Sequence, residues 1–424
     1  MSAKRKSSRR QFLKAMALGG AAIATPTIIP ASALGRNGTI APSERIVMGQ
    51  IGCGRRGHYD LEIFLQQPEV QFTAICDSRA ERRTVGKKTV DDKYGNSECK
   101  TYRDMFEMLG RDDIDAVLIA TGDRWHTLAS IISAKAGKDV YCEKPCSMTI
   151  AESRALADNF ELYGRIYQAG TQRRSISNFI LATELAHTGK LGKLHTVHAN
   201  ILPPSTNHDW LPEEPEPPIE VVDWNRWLGP VMWRPYNSAY VAGAWHGYFD
   251  FHGGGILEWG AHTIDLCQWA NQADDTAPVT YEPEDTTVTC QYENGVKLVM
   301  RYTGWLGMGT CSVRFEGDEG YVETGDSGQM LLGPGKLRSE HRGFTDVGTD
   351  PTSHIRDFLH CVKSRGVTAS NSKVSAQSHV VCHAAYIATQ LGRKLTFDPR
   401  KEEFVNDDEA NRMRSRALRE PWRI

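Results

Sequence analysis

The sequence predicts an α/β protein of two domains, in which a doubly wound parallel sheet is followed by a second α/β domain with mainly antiparallel strands. Three observations lead to this fold class. Strand and helix patterns alternate from residue 45 to residue 142, a glycine-rich turn joins the first strand to the first helix, and turn signals such as Asn294-Gly295 separate later strands. The length of 424 residues also exceeds one ordinary hydrophobic core.

The N-terminal segment has the layout of an export signal. Six Lys/Arg, including the pair Arg9-Arg10, occur there without an acid, and an apolar run over 15–24 and the triplet Ala31-Ser32-Ala33 follow. We therefore expect a twin-arginine signal peptide over residues 1–33, a linker over 34–44, and export by the twin-arginine machinery to the periplasm. A disordered basic arm or a membrane anchor is the alternative, but the apolar run is shorter than the roughly 20 residues of a spanning helix.

Composition argues against several classes of protein. Without the six basic residues of the predicted signal, 44 Lys/Arg stand against 52 Asp/Glu, and this net charge of −8 argues against a nucleic-acid partner. No later segment approaches 18 consecutive apolar residues, so we expect no membrane span in the mature form. The 10 cysteines are scattered without metal-ligand spacing, and we interpret them as reduced core residues. Zinc binding by His208, His246 and His252 has no ligand spacing to support it, so we expect no metal.

The glycine-rich turn is a G-x-G-x-x-G motif. A buried strand is predicted over 45–51 and a helix over 58–67, with Gly52, Gly54 and Gly57 between them. Gly52 permits a tight turn, Gly54 lets the backbone approach a diphosphate, and Gly57 lets the helix pack closely on the strand. The motif therefore predicts a dinucleotide at the N-terminus of the helix.

An acidic residue ends the next predicted strand, over 70–76. Asp77 lies 20 residues after Gly57, where a carboxylate that binds the adenosine ribose hydroxyls is expected. Such a carboxylate favours NAD, because it would repel the ribose phosphate of NADP. The arginines that follow leave NADP open, and a helix cap is the structural alternative for Asp77. These arginines are Arg79, Arg82 and Arg83.

The alternation then continues to the end of the first domain. Helices are predicted over 84–94, 103–109 and 127–136, and strands over 99–102, 116–121 and 139–142. The ligand of a doubly wound sheet lies at the carboxyl ends of its strands. Lys144 follows the last of these strands, and there it would bind a substrate hydroxyl or help to deprotonate it. A solvated surface lysine is the commoner fate of a lone Lys.

A helix predicted over 256–270 carries a second group of polar residues. Glu258, His262 and Asp265 lie on neighbouring turns of it. A carboxylate one turn from a histidine can orient the ring and support its positive charge, as a general base for a hydroxyl proton requires. The alternative is an acid-histidine pair that is satisfied within the fold.

The chain around this helix predicts the rest of the second domain. The irregular, aromatic-rich segment over 202–255 is expected to form the wall of a pocket. Antiparallel strands are predicted over 287–292, 296–302 and 310–316, and closing helices over 355–363 and 375–391. His379 and His383, in the last helix, are expected to be surface or packing residues.

Together these motifs resemble the Gfo/Idh/MocA family. The resemblance rests on the glycine motif, Asp77, Glu143-Lys144-Pro145, and Glu258-Trp259-Gly260-Ala261-His262, where the family usually has aspartate in place of Glu258. It implies an NAD(P)-binding Rossmann domain over 45–169 and a substrate-binding α/β domain over 170–424 with a large open sheet that faces the nicotinamide. The export signal and three further motifs resemble an exported bacterial branch of the family. These motifs occupy residues 170–175, 224–230 and 419–422.

The resemblance also implies a set of site residues. Lys144 is expected to be the active-site lysine, and His262, oriented by Glu258, the base that removes a hydroxyl proton. Substrate contacts are expected from Arg173, Trp245 and Asp265. The residues expected to bind NAD, or alternatively NADP, are Gly52, Gly54, Arg55, Arg56, Gly57, Asp77, Thr121, His126, Glu143 and Lys144.

The expected activity is hydride transfer between a tightly bound nicotinamide cofactor and a sugar, polyol or sugar derivative. Because free NAD is not expected outside the cytoplasm, the cofactor would have to be regenerated on the enzyme. The principal alternative is redox-neutral glycoside cleavage, in which oxidation, elimination and reduction follow one another on one substrate. A sugar-binding protein without activity is the third interpretation. The open sheet also leads us to expect a homo-oligomer.

Overall fold

The computed structural model describes residues 40–204, 207–302, 305–334 and 348–424. The chain divides into two compact units, Met1–Arg45 and Ile46–Ile424. In the first unit, the described residues form a short 3-10 helix, Pro42–Glu44, and the Arg45 guanidinium donates to the Ile40 carbonyl. The predicted signal peptide over 1–33 and the predicted linker up to residue 39 lie outside the described residues.

The second unit begins with a parallel sheet of six strands, in the order β3-β2-β1-β4-β5-β6. The strands are β1 (Ile46–Ile51), β2 (Val70–Cys76), β3 (Lys100–Tyr102), β4 (Ala116–Ile119), β5 (Asp139–Cys142) and β6 (Tyr167–Ala169). Every residue of β4 and β5 is buried, as expected for strands covered on both faces. The predicted doubly wound sheet is confirmed.

Helices alternate with these strands. They are α1 (Arg55–Phe64), α2 (Ala80–Tyr94), α3 (Met105–Leu109), α4 (Asp123–Lys135) and α5 (Ile150–Tyr163). Local chemistry sets several of their ends. The Asp104 side chain accepts from the Phe106 N–H at the start of α3, the Thr149 hydroxyl accepts from the Glu152 N–H at the start of α5, and α2 ends at Gly95, whose φ is +67°.

A second sheet has nine strands in the order β13-β12-β11-β7-β10-β9-β8-β14-β15. Among the described pairs, β7 and β10 are parallel and the others are antiparallel, which confirms the predicted mainly antiparallel sheet. The strands are β7 (Leu194–Ile201), β8 (Thr280–Pro283), β9 (Thr287–Gln291), β10 (Lys297–Tyr302), β11 (Val313–Gly317), β12 (Gly320–Thr324), β13 (Met330–Gly333), β14 (Leu395–Asp398) and β15 (Glu403–Phe404).

The second half of the chain also contains helical segments. The helical segments are the 3-10 turn Gln172–Ser175, α6 (Ser177–His187), α7 (Trp224–Leu228), the π-helical turn Tyr240–Ala244, α8 (Gly255–Ala270), α9 (Thr352–Ser364), α10 (Ser372–Leu391) and α11 (Asp408–Arg412). Apolar residues of α8 and α10, such as Ile264 and Val381, form one buried core with β7, β9 and β10. Gly255 lets α8 begin against the chain after β7, because a β-carbon there would lie 1.7 Å from the Pro203 carbonyl oxygen.

The structure corrects several predicted boundaries. Helix α1 begins at Arg55 and not at 58, directly behind the glycine turn. Strand β11 begins only at Val313, because Cys311 has a φ of +51°, which interrupts an extended chain. Strand β7 was not predicted, because it buries the polar residues His198 and Asn200.

The cysteines and two histidines of the last long helix are buried in the interior. All 10 cysteines are free and buried, in agreement with their interpretation as core residues. His379 and His383 are packing residues: the His379 Nε2 accepts from the Cys146 N–H at 3.0 Å, and the His383 Nε2 lies 3.2 Å from the Ser147 Oγ. Within the described ranges, no group of His, Cys, Asp or Glu is placed to hold a metal, and none of the helices has the length and apolar character of a membrane span.

A buried ion-pair cluster fixes the start of the second half. The Arg174 guanidinium, in the turn Gln172–Ser175, contacts the Asp265 carboxylate on α8 at 2.7 Å and the Asp274 carboxylate at 2.6 Å. The Ser378 hydroxyl of α10 also donates to Asp265 at 2.7 Å. These contacts join the turn to both core helices.

Replacement of Arg174 by Met should therefore lower the free energy of unfolding by about 3–5 kcal/mol, because it leaves Asp265 buried without its counter-charge. Urea unfolding followed by circular dichroism measures this. The control is Lys394→Met, because the exposed Lys394 ammonium pairs with an equally exposed Glu282 at 2.8 Å and its loss should matter much less. Equal effects of the two substitutions would contradict a stabilising role for the cluster.

Candidate active site

A cavity of about 800 Å³ opens at the carboxyl ends of β1, β2, β4 and β5. Helix α8, the 3-10 turn Gln172–Ser175 and residues 241–246 are among the other segments that line it. The predicted site residues that line it are Gly52, Gly54, Arg55, Arg56, Asp77, Thr121, His126, Glu143, Lys144, Arg173, Trp245, Glu258 and His262. Gly57 lies just behind the wall. The structure thus brings together residues predicted from both halves of the sequence.

The glycine turn has the shape that a diphosphate needs. Gly52 has a φ of +87°, and a β-carbon there would lie 2.7 Å from the Ala120 backbone. A β-carbon at Gly57 would lie 2.5 Å from the Gly52 carbonyl oxygen, so only glycine allows α1 to approach β1 this closely. The N-cap residue of α1 is Gly54, and no side chain of the described residues caps this helix end. Its first N–H groups are therefore available to an anion, which fits a dinucleotide.

Asp77 stands at the end of β2, beside this turn. Its carboxylate accepts from the Cys53 N–H at 2.8 Å and from the Arg79 N–H at 2.9 Å. These two bonds hold the carboxylate at the cavity wall, where the remaining lone pairs can accept from ribose hydroxyls. The position therefore fits the predicted role.

Lys144 follows β5 and belongs to a chain of charges. Its Nζ donates to the Glu258 Oε1 at 2.9 Å, and the Glu258 Oε2 lies 3.3 Å from the His252 Nε2. The His252 Nε2 is in turn 3.8 Å from the Asp123 carboxylate. Burial alone would raise the pKa of Glu258, but His252 and Lys144 outweigh it and hold that pKa well below its ordinary value. Glu258 is therefore an anion that fixes the position of the Lys144 ammonium.

His262, one turn further along α8, has different partners. The Arg173 Nη1 lies 2.7 Å from its Nε2, and the same guanidinium holds both Asp326 carboxylate oxygens, at 3.0 and 2.7 Å. Because an arginine can only donate, Nε2 is the acceptor and Nδ1 carries the proton of the neutral ring. Burial, followed by the charges of Arg173 and Lys144, lowers the pKa of His262 well below its ordinary value.

Two predicted roles are wrong in this structure. Glu258 does not orient His262, because its carboxylate is occupied by Lys144 and His252 while Arg173 holds the ring. Asp265 does not face a substrate, because it is 2% exposed and its oxygens bind Arg174 and Ser378 behind the cavity wall. Glu258, His262 and Asp265 therefore lie on neighbouring turns of one helix but bind different partners.

Other predicted residues shape the strand ends. The Glu143 Oε1 accepts from the Arg56 Nε at 3.0 Å, so these two side chains bind each other across the end of β5. The His126 Nδ1 lies 2.7 Å from the Pro145 carbonyl oxygen and braces the loop that carries Lys144. Trp245 lines the cavity in a stack with His246, with ring centroids 3.7 Å apart.

Sequence reasoning missed three residues of this network. His252 lies in the aromatic-rich segment over 202–255, and Asp123 follows the strand predicted over 116–121, but nothing in the sequence indicates that they join Lys144 and Glu258. Asp326 gives no signal in the sequence, because it follows β12 and lies 153 residues from its partner Arg173. These residues are identified only by the tertiary fold.

A strap, defined as residues 218–246, crosses from the second half of the chain to the first sheet. The Val221 carbonyl accepts from the Ala80 N–H at 2.9 Å, and the Val241 carbonyl accepts from the Arg79 Nη1 at 3.0 Å. Trp422, near the chain end, packs edge-on against Trp125 of α4 with ring centroids 4.9 Å apart. Strap residues and Trp422 both line the cavity.

Comparison with known proteins agrees with this architecture. Residues 46–171 match the family model of an oxidoreductase family, NAD-binding Rossmann fold, and residues 207–424 match the C-terminal alpha/beta domain of that family. Solved structures of similar fold include the WlbA dehydrogenase from Bordetella pertussis in complex with NADH and UDP-GlcNAcA (TM-score 0.62, 17% identity, 84% of this chain and 98% of that chain). The aldose-aldose oxidoreductase from Caulobacter crescentus, complexed with glycerol, is another (TM-score 0.58, 17% identity, 83% and 100%).

Similar sequences among curated proteins include an alpha-N-acetylgalactosaminidase from Shewanella oneidensis and a glycosyl hydrolase family 109 protein from Saccharopolyspora erythraea. Each is 33% identical to this chain, over 171 and 169 residues respectively. Both matches cover 36% of this chain and only 37% of the relative. The two family models, in contrast, cover most of the described residues of both halves. Because of these matches, the chain belongs to the Gfo/Idh/MocA oxidoreductase family.

Proposed function

We propose that the protein is an NAD-dependent oxidoreductase that transfers hydride between a tightly bound cofactor and a sugar, polyol or sugar derivative. The observation that carries this proposal is that Lys144 and His262 line the same cavity as the glycine turn and Asp77. Residues 45–169 would bind the cofactor, and residues 170–424 would bind the substrate. The UDP-GlcNAcA and glycerol held by the two solved relatives support a substrate that carries hydroxyl groups.

The contacts of Asp77 and of the three arginines that follow it favour NAD over NADP. The Asp77 carboxylate stands where a ribose phosphate would have to bind. Arg79 already contacts Val241 and Glu81, and Arg83 donates to the carbonyl oxygens of Asp77 and Glu220. Only Arg82 of this group has no hydrogen-bond or ion-pair partner among the described residues, and it lies beside Gly54. The chain therefore offers little to a second phosphate on the ribose.

In the proposed reaction, bound NAD supplies the acceptor for the hydride, and the side chains handle the proton. The Lys144 ammonium, held by Glu258, stabilises negative charge on the substrate oxygen. His262 takes the hydroxyl proton, because burial beside two cations keeps its ring neutral before the reaction. The Arg173 N–H occupies its Nε2, so the substrate hydroxyl has to replace that donor before the proton can move.

Replacement of Lys144 by Met tests this assignment. The variant should keep its bound nucleotide and lose turnover by at least about 100-fold, because it removes the cation that Glu258 holds in place to stabilise the substrate oxygen. Nucleotide content is measured after acid extraction, and turnover by hydride exchange with candidate sugars. Lys135→Met, on the exposed end of α4, is the matched control and should behave as wild type. Wild-type turnover in the Lys144 variant would refute the assignment.

We also propose that the chain belongs to an exported branch of the family and reaches the periplasm through the twin-arginine machinery. The support is the Arg9-Arg10 pair with its apolar run and small-residue triplet. Because free NAD is not expected outside the cytoplasm, the cofactor would travel with the folded protein and be recycled on it. A homo-oligomer, as implied by the resemblance to the family, is part of the same proposal.

The double substitution Arg9→Lys, Arg10→Lys should leave the protein and its nucleotide in the cytoplasm, because the export receptor reads the arginine pair. Cell fractionation with nucleotide assay of both fractions measures this. The control is the substitution of Lys4 and Lys6 by Arg, which keeps the charge of the segment and the Arg9-Arg10 pair. Periplasmic protein from the lysine variant would argue against this route.

Redox-neutral glycoside cleavage is the second candidate function. The specific observation in its favour is the similarity to an alpha-N-acetylgalactosaminidase and to glycosyl hydrolase family 109 proteins over 36% of the chain. In this reaction a carbinol carbon is oxidised to a ketone, the glycosidic substituent is eliminated, water adds, and the hydride returns to the same carbon. The same cavity and the same Lys144 and His262 would serve it.

A chromogenic glycoside distinguishes the two candidates. Redox-neutral cleavage predicts steady release of the aglycone with no net change in nicotinamide absorbance, because each hydride removed is returned. Net oxidoreduction predicts stoichiometric conversion of an added sugar acceptor and no aglycone. Calorimetric sugar binding without either signal, for all donors and acceptors tried, would instead indicate a binding protein without activity.

A further inference from the structure

The charges around the cavity divide into two groups. Eight Lys/Arg side chains line it, and five of them contact a carboxylate within 3.3 Å. These five are Arg56, Arg103, Lys144, Arg173 and Arg226. For the other three, Arg55, Arg82 and Arg124, no ion pair occurs within the described ranges. The cavity therefore holds three guanidinium groups without a carboxylate partner among the described residues, beside the Asp77 and Asp123 carboxylates that also line it.

Arg124 is the most unusual of the three, because its side chain is buried. It lies in the first turn of α4 and is 6% exposed. Its Nε and Nη2 donate to the Trp227 carbonyl at 2.9 and 2.6 Å, and its guanidinium stacks on the Trp227 ring at 3.8 Å. Its Nη1 has no hydrogen-bond partner in the structure. Carbonyl and aromatic groups attract a cation, but they do not neutralise it.

The unpaired arginines lie next to the glycine turn. A β-carbon added at Gly122 would lie 2.4 Å from the Arg124 Nη1, and one added at Gly54 would lie 2.9 Å from the Arg82 Nη1. Gly54 precedes the uncapped N-terminus of α1. The unpartnered N–H groups of both arginines thus share one part of the cavity with the N–H groups of that helix. Burial lowers the pKa of Arg124; the charge of the neighbouring Asp123 opposes this, and the charge of Arg82 adds to it, so Arg82 and Arg124 lie within electrostatic reach of each other.

The strap holds Arg124 in this position. The Trp227 carbonyl, which accepts from Arg124, belongs to α7, and the preceding Arg226 carbonyl accepts from the Trp125 Nε1 at 2.9 Å. The Asp223 N–H donates to the Ser78 carbonyl at 3.0 Å. The guanidinium is therefore oriented before any ligand arrives, and little conformational entropy is lost when one binds.

We infer that Arg124, together with Arg82, binds the diphosphate of the dinucleotide and thereby retains the cofactor on the protein. A diphosphate linkage carries two negative charges, which two guanidinium groups match, and the planar arginine fork suits phosphate oxygens. This inference rests on the proposed function and deepens it. It identifies the side chains that would keep the cofactor bound during export.

Calorimetry on nucleotide-free full-length protein tests the inference, with ADP-ribose and adenosine as ligands. ADP-ribose carries the diphosphate but no nicotinamide, and adenosine carries neither. In Arg124→Met, ADP-ribose should bind about 10- to 100-fold more weakly, as expected for loss of a charge-assisted contact, while adenosine binds as to wild type. The rate of NAD release should rise by a similar factor. Arg82→Met, which removes a partly exposed side chain, should weaken ADP-ribose binding in the same direction.

The control is Arg103→Met, because Arg103 lines the same cavity but faces Asp223 at 3.3 Å. Its ratio of ADP-ribose affinity to adenosine affinity should stay within about threefold of wild type. Wild-type ADP-ribose affinity in both the Arg124 and the Arg82 variants would overturn the inference. That result would leave the proposed function intact, because hydride transfer is measured separately on the wild-type holoenzyme. If the wild-type holoenzyme transfers no hydride but the Arg124 and Arg82 variants bind ADP-ribose more weakly as expected, the proposed function fails and the inference about the diphosphate stands.

Discussion

The site depends on one ion pair, between Lys144 after the parallel sheet and Glu258 on helix α8. A lysine at the end of a buried strand needs a counter-charge, and among the described residues the second half of the chain supplies it. The carboxylate comes from 114 residues further along the chain, at 2.9 Å. This contact places α8 over the strand ends and so defines where substrate and cofactor can meet. His252 and Asp123 extend the pair, and His252 and Lys144 together hold the pKa of Glu258 well below its ordinary value.

A second group of side chains surrounds His262. Arg173 is neutralised by Asp326, yet it donates to the imidazole and disfavours a proton there. Lys144 and His262 both line the cavity, but their partners differ. The Lys144 ammonium contacts the Glu258 carboxylate, whereas burial and the charges of Arg173 and Lys144 lower the pKa of His262 and keep its ring neutral. Two groups of this kind suit a reaction that separates a proton from a hydride.

Local motifs carried most of what the sequence could predict. The glycine turn, Asp77, Lys144, Glu258 and His262 all reach the cavity, because each is fixed by its own strand end or helix turn. Pairings between distant segments were not predictable. The prediction that Glu258 orients His262 used their i, i+4 spacing. In the structure, the side chains of α8 bind residues of the elements that pack on the helix. For Asp265 the partner is Arg174, and for Glu258 it is Lys144.

The contribution of Trp422 to the cavity has a consequence for the order of events in the cell. Its ring packs on Trp125, the residue after Arg124, so the cofactor cavity is complete only when residue 422 has been synthesised and has docked. A nascent chain that began to cross a membrane while the ribosome was still extending it would leave before its nucleotide site existed. On the proposed export route, cofactor would therefore be loaded only after the whole chain had been synthesised and folded, and before it left the cytoplasm.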